Sequence, residues 1–261
     1  MPDQPPPAGD QFVQSLARGL SVIRAFDHDH PEMTLSEVAA RVGFSRATAR
    51  RFLHTLVELD YVRTDGRTFA LTPQVLRLGT AYLSGLALPD VAQPHLEQLS
   101  ATVGESTSAA VLDRDDVVYV ARVATRRIMS VGITVGTRFP AYATSMGRVL
   151  LAALPTEELE TYLAEVTLRP LTTHALADVE ALRDELAQVR DRGWAAVDQE
   201  LEPGLRSIAA PVRNKEGTVV AALNVSASTS SVGVDDLVGA ALPALLETAA
   251  RVGDDLALTR P

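Results

Sequence analysis

The sequence predicts an α+β protein of two domains, a winged helix-turn-helix followed by a sheet domain. Between residues 34 and 72 a capping box, a short helix, a glycine turn, an arginine-faced helix and a basic hairpin succeed one another in the order of a DNA-docking module. From Arg41 to Arg77 seven arginines stand against three acidic residues, whereas the whole chain carries −9. A basic island on an acidic body suits one domain that meets phosphate and another that meets something else. Beyond residue 89, strand patterns joined mostly as hairpins have helices before and after them, as in an α+β domain.

The start, Met1 to Asp10, is rich in Pro and Asp and lacks the basic and apolar regions of a signal peptide, so residues 1–11 are expected to be a disordered tail and the cytoplasm the location. Ser15 to Phe26 reads as a supporting helix with Leu16, Leu20, Ile23 and Phe26 on one face. Thr34-Leu35-Ser36-Glu37 is a capping box, in which the Thr34 hydroxyl takes the Glu37 amide and the Glu37 carboxylate takes the Thr34 amide. Leu35, Val38, Ala39 and Val42 give the next helix one apolar face, and Gly43 ends it where a left-handed residue fits. Ser45 caps a second helix reaching about Leu59. Ala49, Leu53, Leu56 and Val57 face inward there, and Arg46, Arg50 and His54 form an outward stripe with Arg51 beside it. Tyr61 to Thr72 alternates around Asp65-Gly66, a dipeptide of tight hairpin turns, with Arg63 and Arg67 flanking the tip. The DNA-docking residues are therefore expected to be Arg46, Arg50 and Arg51, with Ser45 and Thr48 near phosphate and Arg63 and Arg67 on the wing.

These signals place the first domain at residues 12–72, a linker helix at 73–88 and the second domain at 89–258. Pro73 suits the first turn of the linker helix. Val75, Leu76, Leu78, Gly79, Tyr82 and Leu83 make it apolar on more than one side, for packing on a second copy of the chain or on its own second domain. In the second domain Val91 to Val103 reads as a helix. Ser106 to Leu112 and Val117 to Val123 read as strands around an acidic turn, and Ile128 to Val135 as a further strand. Helices follow at Ser145 to Leu154, Thr156 to Val166 and Asp178 to Arg192. Trp194 to Gln199, Ser207 to Val212 and Val219 to Val225 read as antiparallel strands. Val234 to Leu258 closes the chain with Pro243 in an early turn.

Composition narrows the chemistry. No cysteine is present, which excludes disulfides, thiolate nucleophiles and cysteine metal sites. The 46% hydrophobic share supports two real cores, and no uninterrupted apolar run is long enough to span a bilayer. The five histidines show no zinc-ligand spacing, and Gly132 and Gly136 are too sparse for a phosphate or dinucleotide loop, so no metal or cofactor is expected. Thr144-Ser145-Met146-Gly147 is not a nucleophile elbow; Ser145 reads as a helix N-cap. Asp198, Glu200 and Glu202 can be read as an acid-base cluster or as a loop at the rim of a pocket.

The chain resembles the IclR family of transcriptional regulators, and within it the subgroup of PcaR, PcaU and PobR. The likeness rests on Phe12 to Leu20, on Arg50-Arg51-Phe52-Leu53, on Arg138 to Leu150 and on Glu202 to Pro211, and it runs from about Phe12 to Leu256. The resemblance implies that the second domain is a GAF-like α+β domain binding a small effector. It also implies a homodimer or tetramer on operator DNA, regulation of aromatic-acid breakdown through protocatechuate and β-ketoadipate, and no enzymatic activity.

The residues themselves offer a place for an acid. A helix N-terminus presents free amides and a positive dipole end. Ala143 to Arg148 forms such a terminus: Ala143, Thr144, Ser145 and Met146 lead into it, with hydroxyls at Thr144 and Ser145. Gly147 would let a ligand approach the backbone, and Tyr142 would supply a wall or a phenol. The resemblance adds Leu205, Ser207, Asn224 and Ser226 as further effector contacts. Arg138 is either a cation for a second carboxylate or a partner of Glu200 or Glu202. A ligand-responsive regulator of DNA is thus one reading. An enzyme of small acids with an appended DNA-binding domain, or a scaffold that binds DNA without an effector, is the other.

Overall fold

The computed structural model describes residues 12–83, 87–125 and 133–258. The expected tail, and the expected strand as far as residue 132, lie outside them. The chain divides into two compact units, Met1–Gly85 and Leu86–Pro261.

In the first unit, helix α1 (Gln14–Arg24) precedes strand β1 (Glu32–Thr34) and helices α2 (Leu35–Arg41) and α3 (Arg46–Glu58). Strands β2 (Val62–Thr64) and β3 (Thr68–Leu71) form the wing, then a 3₁₀ turn (Pro73–Val75) leads to helix α4 (Leu76–Leu83). The capping box closes as expected: the Thr34 amide donates to Glu37 Oε2 at 2.7 Å, and the Glu37 amide to Thr34 Oγ1 at 3.4 Å. β1 is an addition to the expected elements. It pairs antiparallel with β3, so the sheet runs β1-β3-β2. Three residues are too few for alternation to reveal.

Two expectations need correction here. The wing turn is wider than a two-residue hairpin, because Thr64 pairs with Phe69. A type I′ turn needs positive φ at both central residues, and only Gly66 has it, at +92°. Asp65 organises the turn instead, its Oδ1 accepting the amides of Arg67 at 2.9 Å and Thr68 at 2.7 Å. The second correction concerns α1. It buries Val22, followed by Ala25 and Phe26, and leaves Leu16 and Leu20 63% and 46% exposed. These leucines, with Phe52, Leu59, Tyr61 and Leu78, line an apolar groove of about 560 Å³. The core of the unit is Val22, Phe26, Met33, Val38, Leu53, Leu56, Val62 and Phe69.

The second unit opens with helix α5 (Ala87–Val103), which starts before the expected Val91 and accommodates Pro94. Strands β4 (Ser106–Asp113), β5 (Asp116–Val123) and β6 (Arg138–Pro140) follow. A 3₁₀ turn (Ala141–Ala143) leads into helices α6 (Ser145–Ala152), α7 (Thr156–Glu165) and α8 (Val179–Arg192). Strands β7 (Ala195–Asp198), β8 (Leu205–Arg213) and β9 (Val219–Ser228) and helix α9 (Val234–Leu258) complete it. The antiparallel sheet has the order β6-β5-β4-β9-β8-β7. Helices α5 and α9 cover one face, and α6 backed by α8 covers the other, a GAF-like α+β arrangement. Residues 133–135 are not strand, and the edge is β6, which pairs Arg138 with Val118 on β5. Pro243 lies well inside α9 rather than in an early turn.

A bulge in the β4–β5 pairing decides which side chains share the α6 side of this sheet. Ala109 faces Ala121, but Ala110 faces Tyr119, so Val120 is the extra residue. Strict alternation would put Tyr119 and Arg122 on opposite faces. The bulge brings both to the α6 side.

Candidate nucleic-acid interface and ligand cavity

Helix α3 begins where Ser45 Oγ accepts the Thr48 amide at 3.2 Å, and the two hydroxyls lie 2.9 Å apart. Burial of Ala49, Leu53 and Leu56 turns Arg46, Arg50 and His54 outward. These three side chains line one groove of about 480 Å³ with Thr34, Leu35 and Ser36 at the start of α2 and with Thr64, Gly66 and Arg67 of the wing. The fold thus brings Arg46, Arg50 and Arg67 together. Arg51 and Arg63 are exposed but lie outside that groove. His54 joins it as the third member of the outward stripe, and Thr34 and Ser36 belong to it without having been expected. Arg41 is held by Asp27, whose carboxyl is kept below the usual carboxylate range chiefly by its hydrogen bond to His30.

In the second unit the loop before α6 differs from expectation at several residues. Thr144, not Ser145, is the N-cap, its Oγ1 accepting the Gly147 amide at 3.0 Å. Ser145 is the first helical residue, 1% exposed, with Oγ 2.8 Å from Ser207 Oγ. A Cβ on Gly147 would lie 2.1 Å from the Ala141 carbonyl oxygen. This glycine therefore admits the neighbouring backbone, not a ligand. Met146 is wholly buried in the core beneath α6. Tyr142 turns its hydroxyl to the backbone of Arg169, donating to the carbonyl and accepting from the amide, both at 3.2 Å. Arg138 is engaged by Asp113 at 2.7 Å and Asp116 at 3.0 Å, so its expected partners Glu200 and Glu202 are replaced.

Glu200 has another role. Arg148, 2% exposed, donates from Nε to the Tyr142 carbonyl at 3.0 Å and from Nη2 to Glu200 Oε2 at 2.5 Å. The pair ties the loop before α6 to the segment after β7.

Under this loop lies a small cavity. Ala143, Thr144 and Ser145 form one wall, Leu205 and Ser207 of β8 another, and Asn224 and Ser226 of β9 the floor. Tyr119, Ile133, Val197 and Leu201, absent from the expected set, complete it. Arg138, Tyr142, Met146 and Gly147 do not reach it. The free space is only about 10 Å³, the room of a single water. Asn224 Nδ2 donates to Ser226 Oγ at 2.9 Å, while its buried Oδ1 has no partner among the described residues. In the same cross-strand row, Arg122 donates to Ser108 Oγ at 3.0 Å and keeps a buried Nε without a described partner. Burial lowers the Arg122 pKa, opposed by nearby Tyr119. Burial likewise pushes the Tyr119 phenol up to about 12, opposed by the Arg122 charge.

A wider cleft of about 390 Å³ lies at the other end of α6. Its two arginines face backbone carbonyls, Arg190 those of Ala152 and Leu154, and Arg213 that of Gly217. Among the described residues no helix is long and apolar enough to cross a membrane, and no group of three or more His, Asp or Glu residues is placed to hold a metal ion.

Comparison with known proteins agrees with this two-part description. Residues 15–66 match the IclR helix-turn-helix domain, and residues 80–253 match the bacterial transcriptional regulator IclR C-terminal domain. The Pca regulon regulatory protein of Pseudomonas putida is 48% identical over 236 residues, 90% of this chain and 81% of that protein. The p-hydroxybenzoate hydroxylase transcriptional activator of Acinetobacter baylyi is 38% identical over 245 residues, 92% of this chain and 90% of that protein. A crystal structure of an IclR homolog from Microbacterium hydrocarbonoxydans, complexed with 4-hydroxybenzoate, superposes with a TM-score of 0.81 at 29% identity, covering 94% of this chain and 99% of the other.

Breaking the ion pairs of the two arginines of this region should cost unequally. Glu200→Ala strands a buried guanidinium, and the expected cost is about 3–5 kcal/mol of folding stability. Removal of exposed Arg138 should cost at most about 1 kcal/mol. Urea denaturation of the two variants measures both; equal costs would contradict the difference in burial.

Proposed function

The chain belongs to the IclR family of transcriptional regulators, and from that premise we propose that it binds operator DNA as a symmetric oligomer and releases or rearranges it in response to a small aromatic acid. The single observation that carries the DNA-binding part is the convergence of Arg46, Arg50 and His54 with Arg67 of the wing on one exposed groove. Ser45 and Thr48 stand at the phosphate-facing start of α3, and Arg51 and Arg63 flank the groove as further backbone contacts. The cytoplasm, where such DNA lies, is the proposed setting.

The acid is assigned to the small cavity rather than to the wider cleft, because the cavity holds the unpartnered Asn224 carbonyl and the first turn of α6. The free amides and dipole of that turn attract a carboxylate, and the Thr144 and Ser145 hydroxyls give direction. Arg122, on the same sheet face, adds positive potential. The name of the Acinetobacter activator and the 4-hydroxybenzoate bound to the Microbacterium homolog support an aromatic acid as the effector, and the family resemblance supports regulation of genes for aromatic-acid breakdown by way of protocatechuate and β-ketoadipate. A cavity with room for one water admits an aromatic ring only after its walls part. The acid therefore favours an open conformation, and that differential affinity is what a switch requires. In sequence, the linker helix α4 is the covalent path between the two units.

The symmetric oligomer is proposed because one recognition helix reads too few bases for useful specificity. The exposed Leu16, Leu20, Leu59 and Leu78 offer an apolar surface for a second copy.

Replacing Arg46 or Arg50 by Ala should weaken operator binding by about 1–3 kcal/mol where a base is read, and should flatten the salt dependence where a phosphate is met. Unchanged binding in both variants, measured by fluorescence anisotropy, would remove α3 as the reading helix. Sedimentation should find a dimer or tetramer at micromolar concentration; a monomer with one protomer per operator contradicts the oligomer. Ser145→Asp places an anion at the start of α6 and should abolish the response to 4-hydroxybenzoate while operator affinity stays near wild type. A wild-type response from that variant would place the carboxylate elsewhere.

A further inference from the structure

We infer that Asn224 is the residue by which the cavity tells a hydroxylated aromatic acid from the same acid without its hydroxyl. The inference rests on the reading of the cavity as an acid-binding site.

Asn224 sits in β9 between Ser108 of β4 and Ala209 of β8, and is 3% exposed. Its amide nitrogen is engaged by Ser226 Oγ. Its carbonyl Oδ1 is buried and has no donor among the described residues, and Asn224 is one of the residues that line the cavity. Ala209 offers no polar side chain, and the Ser108 hydroxyl, which accepts from Arg122, makes no hydrogen bond to Asn224 Oδ1. A side-chain carbonyl can only accept. A ligand carboxylate brought against it would set acceptor against acceptor, so this atom does not hold the acid group. A phenolic hydroxyl donates, and satisfies it.

The cavity thus has two chemically distinct ends. The first turn of α6, with Thr144 and Ser145, suits an anion. The sheet floor at Asn224 wants a neutral donor. A ring carrying a carboxylate at one end and a hydroxyl toward the other matches both. An acid lacking the hydroxyl enters the same space but seals Oδ1 away unpaired. A site built to bond a hydroxyl discriminates strongly against the analogue without it for this reason.

Isothermal titration of the full chain with 4-hydroxybenzoate and with benzoate tests this. Wild type should bind benzoate about 10- to 100-fold more weakly. Asn224→Leu, similar in shape but unable to accept, should bring the two affinities to a ratio near one, with 4-hydroxybenzoate losing and benzoate holding or gaining. Asn224→Ala makes the same comparison if the leucine variant does not fold. Equal affinities in wild type overturn the assignment and leave the acid-binding cavity standing. A ratio that survives in the folded variant also overturns it, by locating the hydroxyl reader elsewhere. If wild type binds neither acid, the assignment and the acid-binding reading fall together.

Discussion

The second unit is organised around one buried charge. Arg148 enters α6 a turn from its N-terminus, where the helix dipole disfavours a cation, and it is almost wholly removed from water. Desolvating a guanidinium costs several kcal/mol unless a carboxylate and further acceptors meet it. Glu200 and the Tyr142 carbonyl do so. Because those partners come from the segment after β7 and from the turn before α6, three separate stretches of chain are held in one geometry. Gln199, next to Glu200, adopts a left-handed backbone at φ 63°, and its amide donates to the Leu205 carbonyl at 2.7 Å. The cavity walls at Ala143 to Ser145 and at Leu205 hang from that arrangement.

The same economy of polar groups appears on the sheet. Its α5–α9 side carries Leu223, Val225 and Ile208, and the Thr107 hydroxyl on that side is tied to the Leu96 carbonyl at 2.9 Å. The opposite side carries Ser108, Asn224, Ser226 and Ser207 in adjoining strands. Buried polar side chains weaken a core unless they are fully bonded. Their concentration on one side, with two atoms left open among the described residues, is what supports the proposed acid site there.

Local chemistry was legible in the sequence, and contacts distant along the chain were not. The Thr34–Glu37 box, the Ser45 cap, the outward stripe of α3 and the left-handed Gly43 each depend on residues a few positions apart, and all appear. Gly147 was misjudged because the atom it makes room for, the Ala141 oxygen, is set by the path of the preceding turn. Arg138 went astray because its partners lie across the β4–β5 turn. Tyr119 and Arg122 share a face only through a bulge that no alternation pattern announces. The seryl and asparaginyl positions at every second residue of β4 and β9 were the one available sign of a polar floor. Leu16, Leu20 and Ile23 share the face that the helical period gives them, but the period does not say what meets that face.

The small size of the cavity bears on time as well as on affinity. A ring cannot enter a space of about 10 Å³, so capture of the proposed acid there would have to wait for the walls to separate. At low ligand concentration the observed rate rises with concentration; at high concentration it levels off at the frequency of opening, which the chain itself sets. The ties between Arg148, Glu200 and the Tyr142 carbonyl would then govern how promptly the protein notices a change in its surroundings, and how long it remembers one after the ligand is gone.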